Sequence, residues 1–216
     1  MQATVAPEQV FLPTAWAACS ELLAAGRPAD AEQVAQQALS LARRRADTAS
    51  SSTTLRDLSV SLDNVGRVAR AQGEWAQAES VYRESLGLSR QLIERLGGTP
   101  EALRDLSVSL DNVGRVAQAQ GDWAQAESVY REGLALSRQL VERLGGSPES
   151  LDDLAVALIN VAMAASRGEQ DAPAEAVAIY QTLAERYPAM VRYHEQLRAL
   201  SGDNATPSDP DLSVNP

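Results

Sequence analysis

LRDLSVSLDNVGRVARAQGEWAQAESVYRE opens the segment 55–102, and LRDLSVSLDNVGRVAQAQGDWAQAESVYRE opens the segment 103–150. Seven of the 48 aligned positions differ, and most changes are mild: Glu74/Asp122, Ile93/Val141, Thr99/Ser147. A fixed period of this length marks a repeat architecture, in which each unit buries its apolar face on its neighbours. The pattern continues outward with decay. Leu151, Asp153, Leu154, Asn160 and Tyr180 follow Leu103, Asp105, Leu106, Asn112 and Tyr130, after an insertion in the turn SRGEQDAP at 166–173. Upstream, the stretch 24–39 aligns with 70–86 around Gly26 and Gly73. Four units result, at about 13–50, 55–98, 103–146 and 151–188, within an array spanning 13–201. Residues 1–12 form an N-terminal extension.

Within the second unit, Leu55, Leu58, Leu62, Val65 and Ala69 recur at steps of three and four, the stripe of an amphipathic helix. Gly73 ends that helix. A second helix runs from about Trp75 to Leu96, with Ala78, Tyr82, Leu86, Ile93 and Leu96 as its stripe. Gly97 and Gly98 stop it. Thr99-Pro100 and Ser147-Pro148 read as N-caps followed by proline at the tolerated first position. No β-branched run with period-two alternation occurs, so the expected class is all-α. Gly66 and Ala78 are placed for close helix approach, with Tyr82 and Trp75 filling the space beside them. Trp75 and Trp123 are accordingly read as core.

GEWAQAESVYRESL (73–86) and GDWAQAESVYREGL (121–134) resemble the second-helix signature of the tetratricopeptide repeat, a glycine, an aromatic, an alanine, a second aromatic, a small residue and a leucine at fixed spacing. Ala176, Tyr180 and Pro188 keep the spacing in unit four. Unit one departs, with Cys19 for the first glycine and Ala35 for the tyrosine. The long units resemble the variants in kinesin light chains and bacterial signalling proteins. The resemblance implies a right-handed α-solenoid of four helix-turn-helix repeats. A C-terminal cap helix is read at 189–200, with Tyr193, Leu197 and Leu200 on one face, and the polar tail 202–216 as disordered.

By the same resemblance, the first helix of each unit lines a concave groove that binds a protein or peptide partner. The groove positions are those off the core stripe: Val60, Asp63, Asn64, Arg67 and Arg70; then Val108, Asp111, Asn112, Arg115 and Gln118; then Val156, Ile159, Asn160 and Met163. The asparagine column either pairs with a partner backbone, since an amide supplies donor and acceptor together, or bridges adjacent first helices. Kinesin-light-chain-like arrays imply the first. The arginine column binds a carboxylate or phosphate, or closes i,i+4 pairs with Asp63 and Asp111. The valines contact partner side chains or pack between repeats.

The formal charge of −10 argues against a nucleic-acid backbone as ligand. A single cysteine, Cys19, excludes an internal disulfide and reads as a buried thiol. No signal peptide and no run of membrane-spanning length is seen, so the expected location is cytoplasmic. His194 has no metal-ligand partner, Asn204 matches a glycosylation acceptor by chance, and Asp152-Asp153 complement a helix start. No catalytic motif, cofactor loop or metal cluster is legible, so the chain is read as a non-enzyme without cofactor or metal. The expected function is a scaffold or adaptor that binds a partner segment in the groove. Analogy with bacterial arrays suggests the regulatory arm of a signalling or defence complex. The alternative is a self-associating structural protein, a homodimer or filament joined through the N-terminal end, where Phe11, Leu12 and Trp16 lack polar cover.

Overall fold

The computed structural model describes residues 7–168 and 173–201, with side chains described from residue 11 onward. The tail at 202–216, with Asn204, and the insertion at 169–172 lie outside the described residues. Nine helices and no strand occur among them: α1 (Pro7–Ala24), α2 (Pro28–Thr48), α3 (Ser52–Gln72), α4 (Trp75–Leu96), α5 (Pro100–Ala119), α6 (Trp123–Arg143), α7 (Pro148–Ala165), α8 (Ala174–Arg186) and α9 (Val191–Ser201). Each helix packs chiefly on the next in sequence, and α3 also touches α1 and α5. This is an all-α solenoid. Helix α1 begins inside the segment read as an N-terminal extension, because Leu12 is buried in the first core cluster with Ala35, Leu58 and Leu62.

Local chemistry sets the ends. The Ser51 side chain accepts from Thr54 N, and Thr54 answers with its own hydroxyl at Ser51 N, closing a capping box. Thr99 and Ser147 cap Ala102 N and Ser150 N. Asp122 caps Gln125 N, whereas its counterpart Glu74, one methylene longer, makes no side-chain cap. Gly73 closes α3 at φ 77, in the left-handed region where a side chain would be strained.

The core follows the apolar stripes, with one correction in the second helices. Leu92 is buried at 1 %, while Leu96 is 42 % exposed and Ile93 half-buried. The Tyr82 and Tyr130 rings lie flat on helix backbone. A Cβ built on Gly66 would stand 2.4 Å from Tyr82 Cε1, and one on Gly114 would stand 2.3 Å from Tyr130 Cε1. Unit one trades the two volumes: Cys19 replaces the glycine, Ala35 replaces the ring, and both are buried in one cluster. Burial raises the Cys19 thiol pKa above its ordinary value.

Between units two and three the core contains a polar chain. The hydroxyls of Ser59 and Ser85 are bonded at 2.9 Å, and those of Ser89 and Ser109 at 2.8 Å. Unit four has Ala157 where unit three has Ser109, and unit three has Gly133 where unit two has Ser85. Ser137, the counterpart of Ser89, is consequently left buried with no partner for Oγ.

Gly87 sits in the middle of α4 with nothing within 4 Å of a built Cβ, and its counterpart is Ala135. Gly87→Ala should stabilise the chain by about 0.5–1 kcal/mol, because it removes backbone freedom from the unfolded state at no steric cost. An unchanged urea midpoint would refute this.

Candidate functional site

The first helices α3, α5 and α7 place the expected columns, but each column behaves differently. Arg70 and Gln118, one position in successive units, differ as well. In the valine column Val108 is 49 % and Val156 38 % exposed, with Val60 half-buried. Their β-branched side chains stand off the core stripe and present apolar surface along one face.

Each amide of the asparagine column is engaged within the chain, although Asn112 and Asn160 also line recesses. Asn64 is 5 % exposed, and its Nδ2 donates to the Val60 carbonyl of its own helix at 2.9 Å. Asn160 Nδ2 donates to Asp111 Oδ1 at 2.7 Å, across the unit boundary. Asn112 is likewise a hydrogen-bond partner of Asp63 in the preceding unit. The Asn112 and Asn160 amides therefore tie first helices together, each bonded to a half-buried aspartate, while Asn64 is held within its own helix. A shared spacing could not distinguish this from backbone capture, because both uses need one amide per unit.

The two aspartates differ in their partners. Asp111 Oδ2 receives Arg115 Nε at 2.7 Å while Oδ1 receives Asn160. Burial pushes its carboxyl above the ordinary range, and Arg115 pulls it back. Asp63 has no such salt bridge. Its Oδ1 is buried with no partner, and burial raises its pKa to about 6, against the hydrogen bonds of Ser85 and Asn112. Arg67, expected to pair with Asp63, turns instead to Ser20 Oγ, to which Nη1 donates at 3.1 Å.

Two recesses open along this face. The first lies over units two and three, lined by Leu23, Arg67, Arg70, Trp75, Asn112 and Arg115 among others. Trp75, read from sequence as core, is 38 % exposed here. It is the first residue of α4, where the chain has only just turned. Trp123 is half-buried, with its ring end near Gly168 of the following unit. The second recess, of about 150 Å³, lies between units three and four. Both recesses share Asp111 in their lining.

Gln118 and Met163 are engaged with one another within the chain. Gln118 Oε1 accepts from Tyr130 Oη at 3.2 Å, and its Nε2 approaches Met163 Sδ. Ile159 is half-buried, packed against the third core cluster. The charged residues of the second helices pair across units: Arg43 with Glu84 and Arg90 with Glu132, all solvent-exposed. Such pairs contribute little to stability. No group of three metal-ligating side chains occurs among the described residues, nor a helix long and apolar enough to cross a membrane.

Family models described as tetratricopeptide repeat match residues 57–139 and 157–189, together more than half of the chain. No curated protein matches it in sequence. Among solved structures, the nearly identical repeats of a kinesin light chain candidate from Podosopora anserina are similar at 16% identity and TM-score 0.53, covering 94% of this chain and 98% of that one. BtubC from P. vanneervenii is similar at 19% identity and TM-score 0.47, covering 83% and 75%. At these identities the likeness speaks to the fold alone.

Proposed function

Because the chain belongs to the tetratricopeptide-repeat family, whose repeats serve protein–protein interaction, we propose that it is a scaffold holding an acidic segment of a partner protein along α3, α5 and α7. One observation carries this reading. No salt bridge among the described residues includes Arg67 or Arg70. In a chain with 29 acidic and 19 basic residues, two neighbouring guanidiniums outside any salt bridge, beside an Asp111 already paired with Arg115, are a cationic site with capacity for a further acid. Trp75 and Leu23 supply apolar surface beside them. Guanidinium forks suit carboxylates by geometry as well as charge. In a signalling or defence assembly this face would act as the recruiting arm.

The test is binding of a fluorescent glutamate-rich peptide. Arg67→Ala with Arg70→Ala should weaken it about tenfold or more, since each charge-assisted bond is worth roughly 1.5–3 kcal/mol. Affinity should fall as salt rises, because exposed charges are screened. Melting should change little. Equal binding by the double variant would refute the acidic reading.

A second reading, association end to end, draws on Phe11. It is 41 % exposed at the N-terminal end and shares a shallow recess with Leu41. Light scattering that shows a monomer at all concentrations would remove it.

A further inference from the structure

We propose that the recess between units three and four is a side-chain socket that takes one leucine-sized aliphatic residue of the acidic partner segment. The inference rests on the acidic reading above and adds a position and a side-chain class to it.

The socket exists because two residues that close the preceding junction are missing here. Between units two and three, Ser85 and Ser109 fill the space and bond to Ser59 and Ser89. Between units three and four the same positions are Gly133 and Ala157, and both line the recess. A Cβ built on Gly133 would meet only Leu110 Cβ, at 4.0 Å, so the space is real. Ser137 Oγ, buried without a partner, is the mark of the lost serine chain.

The walls suit an apolar occupant. Val108, Val129, Val156 and Ala157 line the recess. The charged residues at the edge are already matched: Arg104 with Asp153 at 3.3 Å, and Asp111 with both Arg115 and Asn160. A charged side chain would gain no partner there and would lose water. A void of about 150 Å³ is the size that accepts benzene in a protein interior, so a four-carbon side chain fits. Charge complementarity sets the occupant's neighbours. The adjoining recess holds Arg67 and Arg70, neither of them in a salt bridge among the described residues, and it meets the socket at Asp111, whose two oxygens are taken by Arg115 and Asn160. A segment lying along this face therefore presents acid to one recess and an aliphatic side chain to the next.

The probes are nine-residue glutamate peptides with a central Leu, Ala or Lys, measured by anisotropy on the full chain. The Leu form should bind about tenfold tighter than the Ala form, as expected for burying three further carbons in part. Gly133→Ser with Ala157→Ser, which rebuilds the serine chain of the preceding junction, should shrink that gain to less than about twofold. The Ala form should bind this variant as it binds the parent. Arg67→Ala with Arg70→Ala should weaken all forms alike. A gain that is absent, or that survives the serine pair, overturns the socket and leaves the acidic reading standing. A gain seen only after Leu212→Ser with Val214→Ser would show that the chain's own tail fills the socket, and overturns a partner residue as the occupant. Should no peptide bind, the acidic reading fails, and the socket is judged by methyl NMR with N-acetyl-leucine amide. Saturable shifts at Val108, Val129 and Val156, absent with the alanine amide and in the serine pair, support it. No shift overturns it.

Discussion

Tyr130→Ala should destabilise the chain by about 3–5 kcal/mol, as for truncation of a fully packed aromatic ring. The ring is 3 % exposed and rests on the backbone of α5 at Gly114. Removing it leaves a cavity that helices joined by such contacts cannot close without sliding. The partner substitution is more diagnostic. A glycine in a helix interior is ordinarily improved by alanine, by about 0.5–1 kcal/mol. At Gly114 the sign should reverse. The new Cβ would lie 2.3 Å from Tyr130 Cε1, so the ring or the helix must move, at roughly 1–3 kcal/mol. With Tyr130→Ala already present, Gly114→Ala should become neutral or stabilising, a coupling beyond the range of independent sites. Urea midpoints for the four chains of this cycle decide it. Strict additivity would mean that the ring does not rest on that glycine. The Gly66 and Tyr82 pair should repeat the result, since the geometry is the same within 0.1 Å.

That contact was legible before any coordinates. The spacing of Gly66, Ala78 and Tyr82 marks a close crossing, and the period of 48 multiplies it. Periodic burial is a strong signal because every unit repeats it. The site was legible in part. Val108 and Val156 are exposed and Val60 half-buried, while Asn64 is sequestered in its own helix and Asn112 and Asn160 bind aspartates of the preceding unit. One residue per unit is compatible with a ligand ladder and with a structural ladder, and only neighbours in space separate the two. Trp75 stands at the repeat's aromatic packing position after the turn, which implies burial, whereas at the first turn of α4 it is 38 % exposed. The socket was written in the sequence in a form that had no obvious reading. Ser85 to Gly133 is one of seven changes between near-identical units, and its consequence appears only beside Ala157, a residue of the next unit.

Asp63→Asn should stabilise the chain at pH 7.5 by on the order of 2 kcal/mol, an unusual gain for a change inside a polar interface. Asp63 carries a charge into a place that solvates it poorly. Burial is the main cause: Oδ1 has no partner, Asp105 adds a like charge, and Ser85, Asn112 and the charge of Arg67 offset only part of it. Its folded pKa is raised from 3.8 to about 6. The sign follows by linkage. Between these two values the folded state holds a proton that the unfolded state has released, so stability falls as pH rises from about 4 to about 6. Above that window the full penalty is present, about 1.4 kcal/mol for each pH unit separating the two states. Below it, both states are protonated and the penalty vanishes. Asparagine keeps the shape and an acceptor for Asn112 while removing the charge. The advantage of Asp63→Asn should therefore be greatest above pH 6 and shrink towards zero near pH 4. Asp111→Asn should show less, because Arg115 and Asn160 already match both oxygens of that carboxylate. Urea midpoints across pH 4–8 give the result. Parallel curves for the parent chain and Asp63→Asn would show that the carboxylate is solvated or paired, and that the buried oxygen is not a source of instability. If instead the gap opens with pH as stated, the unit-two junction holds a charge kept at a cost to stability. The face that carries Arg67 would then have a carboxylate behind it that no salt bridge neutralises, and Arg67, held only by neutral acceptors such as Ser20 Oγ, keeps its charge for an acid brought by a partner.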